Sequence, residues 1–207
     1  MKFSPLPLHR RHFLVGLGLG LLLPAFATRA ATSSEALPPK LRRRIRQDGV
    51  DYARWRNTVG HHSATARGNA ARFDAHHRNV HHMENGLAYH FVIGNGTDSV
   101  DGRIEIGSRW TRQIQGGHVR SVRFNEDSIG ICLVGNFEET QPTYPQLVAF
   151  IELVGFLRRE VLPKPPKFFL HREIPGEHTL CPGRGFPAKR MHRLFCSPGK
   201  RPRQRPG

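Results

Sequence analysis

An almost uninterrupted apolar segment, residues 128–135, limits the folds that this chain of 207 residues can adopt. The segment reads Ser-Ile-Gly-Ile-Cys-Leu-Val-Gly and shows no alternation of apolar and polar positions. A strand with one face in water alternates in this way, whereas a strand covered on both faces reads as a continuous apolar run. The segment therefore predicts a central strand that is buried on both sides.

Predicted strands and helices interleave around this segment. Further strands are predicted at 58–63, 88–93, 103–106 and 167–171, and helices at 69–84, 146–161 and 188–195. Such interleaving is typical of layered α/β folds. We expect a single α/β domain with a central mixed β-sheet that is flanked by helices.

The N-terminal residues have the pattern of an export signal. A pair of arginines, Arg10 and Arg11, precedes an apolar stretch at 13–23, and an Ala-x-Ala cleavage sequence ends at Ala27. The apolar stretch is too short to span a bilayer comfortably as a permanent helix. We expect a twin-arginine signal peptide over 1–27, export to the periplasm or the outside, and no stable membrane span after cleavage. An uncleaved anchor is the alternative.

The formal charge is +16, from 32 basic and 16 acidic residues, which suits a polyanionic neighbour such as nucleic acid, acidic lipid or a wall that carries carboxylates. The cations concentrate in a predicted basic linker, 28–49, and a predicted disordered tail, 197–207, on either side of a domain at 50–196. Charge runs beside proline and glycine usually form solvated tails. Because no stripe of aromatic and basic residues is present and the chain carries an export signal, we expect no nucleic-acid partner.

Two histidines and a cysteine, far apart in the sequence, are candidate metal ligands. His61 and His62 are neighbours on a predicted strand, so their side chains point to opposite faces and only one can bind a given ion. His171 ends another strand, and Cys181 follows it across a loop. Two imidazoles and a thiolate leave the fourth zinc position open for water, as in hydrolases. The plain alternative is a hydrogen-bonded histidine or a buried apolar cysteine.

A second histidine group occurs on the predicted helix 69–84. No carboxylate or cysteine stands at ligand spacing from these histidines, so we interpret the group as a polar helix face. Its members are His76, His77, His81 and His82.

Whole motifs extend these observations from single residues to a family. In chain order they are Gly60-His61-His62-Ser63-Ala64-Thr65, Leu87-Ala88-Tyr89-His90-Phe91-Val92-Ile93, Gly116-Gly117-His118, Ser128 to Phe137, His171-Arg172-Glu173 and Thr179-Leu180-Cys181-Pro182-Gly183. In this order and over nearly all of residues 55–190, the chain resembles the zinc N-acetylmuramoyl-L-alanine amidases. That family includes phage amidase-lysozymes and peptidoglycan recognition proteins.

The resemblance implies a zinc ion held by His61, His171 and Cys181 at one edge of the sheet, with peptidoglycan or muropeptides as the partner. It implies hydrolysis of the amide between the lactyl group of N-acetylmuramic acid and L-alanine. Tyr89 matches the catalytic tyrosine of the family, and Thr179 stands where some members carry a catalytic lysine. His118 is a candidate substrate contact, with a solvated turn histidine as the alternative.

The chain departs from the family in ways that leave a second function open. Cys132 occupies the strand position where cytosolic anhydro-muropeptide amidases place a catalytic glutamate. The loop from His171 to Cys181 is about two residues longer than the commonest spacing, which leaves the partner of Glu177 undecided. The alternative function is therefore a non-catalytic peptidoglycan-binding protein of the same fold. A zinc peptidase of another type is less consistent with the sequence, which lacks a His-Glu-x-x-His helix.

Overall fold

A five-stranded mixed sheet forms the centre of the structure, a computed structural model that describes residues 37–196. The strand order is β3-β2-β4-β1-β5, in which β2 and β3 are antiparallel and all other pairs are parallel. All six residues of β4 are buried, so the predicted central strand is confirmed. The strands are β1 Asn57–His62, β2 Phe91–Ile93, β3 Ile104–Ile106, β4 Ser128–Leu133 and β5 Lys167–Leu170.

Helices flank this sheet, as the sequence predicts. The helix predicted at 188–195 has those bounds, whereas the one predicted at 69–84 ends five residues early and the one at 146–161 continues from an α-helix into a π turn, Leu157–Val161. The helices are α1 Pro39–Ile45, α2 Ala70–Asn79, α3 Ser108–Thr111, α4 Val122–Asp127, α5 Tyr144–Phe156 and α6 Ala188–Phe195. None of the helices within residues 37–196 has the length and apolar character of a membrane span.

The start of α5 shows why these elements form where they do. Thr143 precedes the helix and its hydroxyl accepts a hydrogen bond from the Gln146 backbone N–H, while the Gln146 side chain accepts one from the Thr143 backbone. This capping box satisfies two backbone donors that a helix end leaves without partners. The apolar residues of α5 then pack against one face of the sheet, where the largest hydrophobic cluster lies.

The segment before β1 differs from the prediction of a linker at 28–49. Residues 39–45 form α1, and the side chains of Leu37 and Ile45 are buried in the largest cluster. Leu37, Leu41 and Ile45 recur every four residues, a spacing that places apolar side chains on one side of a helix. The ordered domain therefore extends to Leu37 at least, rather than beginning at Val50. Sequence reasoning missed this pattern because basic residues occupy most positions between the three apolar ones.

The opposite face of the sheet carries smaller apolar groups. One cluster, built on Phe73 of α2, covers β2 and part of β4; a second, built on Val59, Val119 and Ile174, covers the middle of β1. His61 lies two residues beyond Val59 on the same face of β1. This face therefore leaves the carboxyl end of β1 for polar side chains.

The predicted signal peptide, the first part of the predicted linker and the predicted tail lie outside the described residues.

Candidate metal centre

The three candidate ligands meet at the carboxyl ends of two neighbouring strands. His61 is near the end of β1, and His171 begins a short 3-10 turn, His171–Glu173, directly after β5. Because Gly60 is in register with Leu170, both histidines leave the sheet side by side. One ligand atom from each histidine and the sulfur of Cys181 all lie within 4.8 Å of one another. The His61 Nδ1 to Cys181 Sγ distance is 3.9 Å.

Backbone contacts fix Cys181 at this position. The Arg172 backbone N–H donates to the Cys181 carbonyl, and the His62 backbone N–H donates to the Cys181 sulfur at 3.4 Å. The hydroxyl oxygen of Thr179 accepts from the Cys181 N–H at 3.1 Å. The loop is further held by the Arg172 guanidinium, which donates to two carbonyls, those of Leu180 and Gly183. A loop of this length can therefore present one sulfur at a defined point.

Glu177 orients the ring of His171. One carboxylate oxygen accepts from Nε2 of His171 at 3.1 Å, and the other accepts from the backbone N–H of Arg120. A carboxylate can only accept, so Nε2 carries the proton and the lone pair of Nδ1 is left available to a metal. The loop between His171 and Cys181 thus brings Glu177 to the outer nitrogen of a candidate ligand, a contact that metal-binding histidines usually have.

His118 does the same for His61. Its Nε2 lies 3.3 Å from the Ser128 carbonyl oxygen, and its Nδ1 lies 3.1 Å from Nε2 of His61. A carbonyl can only accept, so Nε2 of His118 carries the proton, Nδ1 accepts from His61, and Nδ1 of His61 keeps its lone pair. His118 was predicted as a substrate contact, and that role stays a prediction; here both ring nitrogens have protein partners. Sequence reasoning missed the contact with His61.

Two glycines make room for this ring. A Cβ atom at Gly130 would lie 2.3 Å from the His118 ring, and one at Gly116 would lie 2.4 Å from it. Real Cβ atoms do not approach other atoms so closely. The glycine inside the otherwise apolar β4 run therefore has a local purpose, which the sequence alone does not show.

His62 faces away from the centre, as the strand alternation predicts. Its Nδ1 accepts from the Phe137 backbone N–H at 3.0 Å, on the other side of β1. Of the neighbouring histidines His61 and His62, only His61 therefore faces the other two candidate ligands. Within residues 37–196, the histidine, cysteine and acidic side chains that cluster closely enough to hold a metal ion are His61, His171 and Cys181.

The protonation states of the three residues suit a cation. Burial, followed by the nearby His118, lowers the pKa of His61 well below its ordinary range, and burial lowers the pKa of His171. Both imidazoles are therefore neutral near pH 7 and able to bind metal. Burial raises the pKa of the Cys181 thiol to about 12. A divalent ion deprotonates a coordinating thiol, so a thiolate here depends on the ion.

Tyr89 lies beside the centre. Its ring centroid is 5.2 Å from that of His61. Burial, followed by the nearby thiols of Cys132 and Cys181, raises the pKa of Tyr89 well above its ordinary range. Tyr89 therefore keeps its O–H as a donor. Burial also raises the pKa of Cys132, so this thiol stays neutral.

A cleft of about 590 Å³ opens next to Tyr89. Three members of the second histidine group, His76, His77 and His81, form part of its wall. The rings of His76 and His81 are 5.0 Å apart between centroids. Nδ1 of His77 accepts from the Ala88 backbone N–H, which ties this ring to the loop before β2. The cleft therefore reaches Tyr89, whose ring lies beside that of His61.

The sequence profile of the N-acetylmuramoyl-L-alanine amidases matches residues 51–184. The chain belongs to the N-acetylmuramoyl-L-alanine amidase family. It is 35% identical over 100 residues to a peptidoglycan-recognition protein of Drosophila simulans, a match that covers 47% of this chain and 48% of that protein. The chain thus spans about half the length of this curated relative.

Solved structures of amidases and recognition proteins share the fold. The N-acetylmuramoyl-L-alanine amidase LysC from Clostridium intestinale is 24% identical, with a TM-score of 0.57 over 69% of this chain and 85% of that one. Peptidoglycan recognition protein-LE, in complex with tracheal cytotoxin (monomeric diaminopimelic acid-type peptidoglycan), is 22% identical, with a TM-score of 0.55 over 68% and 81%. At these identities the likeness shows the fold alone, and it confirms the predicted mixed sheet with helices.

Proposed function

We propose that this protein is an exported, zinc-dependent amidase that cleaves the bond between the lactyl group of N-acetylmuramic acid and L-alanine in peptidoglycan. The observation that carries the proposal is the convergence of His61, His171 and Cys181 within 4.8 Å. Zinc takes nitrogen and sulfur ligands at about 2.0–2.3 Å in a tetrahedron, and such ligands stand somewhat under 4 Å apart. The 3.9 Å separation of His61 and Cys181 fits that geometry.

The atoms that these three residues offer to a metal also suit zinc-dependent hydrolysis of an amide. Zinc, when bound by three protein ligands, lowers the pKa of a water ligand and polarises a carbonyl group. The neutral rings of His61 and His171 supply nitrogen lone pairs, and Cys181 supplies the anionic ligand. Tyr89 keeps its proton and can donate to the oxyanion of the tetrahedral intermediate. The Thr179 oxygen accepts from Cys181, which leaves its hydrogen free to donate.

The peptidoglycan substrate is supported by family membership and by the complex of recognition protein-LE with tracheal cytotoxin, a monomeric peptidoglycan. Export rests on the twin-arginine pattern of residues 1–27. A binding protein without activity is the second candidate, because the curated relative at 35% identity is a recognition protein. Retention of Tyr89 beside three potential ligands favours the enzyme.

The deciding experiment is mass spectrometry of the products from purified sacculi incubated with the zinc-loaded protein. We expect stem peptides with a free N-terminal alanine, and glycan strands with a free lactyl carboxylate. Both should disappear in a chelator-treated sample and in Cys181→Ser. The matched control is Cys196→Ser at the exposed cysteine, which should keep the activity. Stable zinc without any new N-terminus would overturn the amidase and favour the binding protein.

Tyr89→Phe separates the role of the hydroxyl from that of the metal. This variant removes one oxygen and keeps the ring against His61. Loss of one oxyanion donor typically lowers the rate by about 10²–10³. We expect wild-type zinc content with a loss of this size. An unchanged rate would remove Tyr89 from the mechanism.

A further inference from the structure

We propose that a second site, at the amino ends of the parallel strands, binds a carboxylate of another unit of the peptidoglycan polymer. The inference rests on the proposed substrate and adds a contact that positions the enzyme on the polymer. A cavity of about 420 Å³ lies here, at the opposite ends of β1 and β5 from the metal centre. Its lining includes Arg56, Asn57, Arg123, Phe124, Lys167 and Phe169.

Three cations in this lining have no partner in the described part of the protein. Arg56 precedes β1, Lys167 opens β5 and Arg123 lies on α4, and all three residues are exposed. Within residues 37–196, their side chains form no ion pair and no hydrogen bond. Other surface arginines do have acidic partners: Arg67 pairs with Asp98, and Arg78 with Asp74. Within the part of the chain that the structure describes, these three positive charges therefore have no paired carboxylate.

The backbone holds these cations next to each other. The Arg56 N–H donates to the Asp127 carbonyl at 2.8 Å, and the Lys167 N–H donates to the Arg56 carbonyl at 2.9 Å. One carboxylate, that of Asp127, also lines the cavity. It already accepts hydrogen bonds from Asn57 at 2.9 Å and from the Ser128 hydroxyl at 3.3 Å. The cavity therefore keeps an excess of positive charge that suits an anion.

The rest of the lining suits a ligand with an aliphatic part. The rings of Phe124 and Phe169 meet edge to face, with centroids 5.7 Å apart. A lining that combines cations with two aromatic rings fits a carboxylate on a short hydrocarbon arm, which is the chemistry of a peptidoglycan stem. A guanidinium binds a carboxylate through two parallel hydrogen bonds.

The distance and the packing between the metal centre and this cavity favour the binding of two different units of the polymer, one at each site. From Asn57 to His61 is four residue steps along β1, about 13 Å. Between them Val59, Val119 and Ile174 form a buried apolar cluster. A stem bound at the metal centre cannot pass straight through this packing. A polymer, which presents many stems, can occupy both sites, and linked contacts raise the overall affinity without any new contact at the centre.

The test uses the full, zinc-loaded chain with Arg56→Gln, Arg123→Gln and Lys167→Gln combined. We expect binding to sacculi in a sedimentation assay, and the rate of their hydrolysis, to fall about tenfold, since linked sites multiply affinity. The rate on a monomeric muropeptide should stay at the wild-type value. Exposed side chains without partners change stability little when replaced, so the variant should fold normally.

The matched control removes the same charge elsewhere, at exposed cations of the C-terminal half. It combines Lys164→Gln, Lys189→Gln and Arg190→Gln. We expect near wild-type binding to sacculi. An equal loss in the control would mean attraction by net charge alone, and an equal loss on the monomer would mean a contact within one stem; either result overturns the second site.

Chemical modification of the ligand identifies the anion. Sacculi whose carboxylates have been converted to amides should bind the wild type and the triple variant equally; a difference that persists would rule out a carboxylate. The two proposals fail separately. If the wild type hydrolyses neither substrate, the amidase fails, while sedimentation with untreated sacculi still reports on the cavity.

Discussion

At the scale of single residues, the Ser128 carbonyl determines which ring nitrogen carries the proton, first in His118 and through it in His61. It requires a proton on Nε2 of His118, and through Nδ1 of that ring it requires a proton on Nε2 of His61. The lone pair that faces Cys181 therefore depends on a residue outside the ligand set. Outer partners of this kind usually contribute a factor of about 10–100 to metal affinity.

We expect His118→Ala to lower zinc affinity by this factor of about 10–100, because His61 loses the acceptor that fixes its ring. Gly130→Ala should act in the same direction, since its Cβ would displace the His118 ring without removing a polar group. The measurement is competition with a chromophoric chelator. Wild-type affinity in both variants would show that the contact does not support the metal.

The thiol of Cys181 leads to a second residue-scale prediction. With the pKa of Cys181 at about 12 and those of His61 and His171 lowered, the metal-free centre holds one proton that zinc must displace. Calorimetric titration at pH 6.5 in buffers of different ionisation enthalpy should show the release of about one proton per zinc. The Cys181→Ser variant should bind zinc far more weakly than the wild type. Release of no proton would mean that the sulfur is not a ligand.

At the scale of elements, α1 belongs to the folded domain. Ile45 is fully buried, and its carbonyl accepts from the Trp110 indole N–H at 3.0 Å. Truncation of a buried isoleucine to alanine typically lowers the free energy of unfolding by about 2–5 kcal/mol. We expect Ile45→Ala to have this effect in urea denaturation. The control is Val122→Ala, which shortens a side chain that is 65% exposed and should therefore cost little. A loss as small as that of the control would show that α1 does not pack on the domain in solution.

The same helix shows what the sequence could and could not predict. Strands such as β4 were predictable because burial on both faces leaves a continuous apolar run, and α6 because its pattern is local. In α1 the apolar spacing is equally regular, but a run of arginines hides it. The ligand set followed from whole motifs. The partners of the ligands, Glu177 and His118, depend on loop length and strand register, which arise only when distant segments pack together.

At the scale of the whole molecule, buried neutral histidines link stability to pH. The pKa of His77 is lowered to about 4 and that of His118 to about 3, in both cases first by burial. The unfolded chain, with ordinary histidines near 6.5, binds more protons below that pH than the folded chain does. Each residue therefore contributes stability above pH 6.5, and this contribution is lost as the pH falls towards the folded value.

For the metal-free protein, the lowered pKa of His77 corresponds to a loss of at most about 2 kcal/mol in the free energy of unfolding between pH 7.5 and pH 5. Because the ring is only half-buried, solvent screening should reduce this loss to about 1 kcal/mol. Urea denaturation at the two pH values measures it, and in His77→Gln the loss should be smaller than in the wild type by about 1 kcal/mol. The control is His82→Asn, an exposed position with positive φ that asparagine tolerates. Equal losses in the wild type and His77→Gln would show that the His77 ring is not kept neutral by the fold, and that its hydrogen bond to Ala88 does not persist in solution.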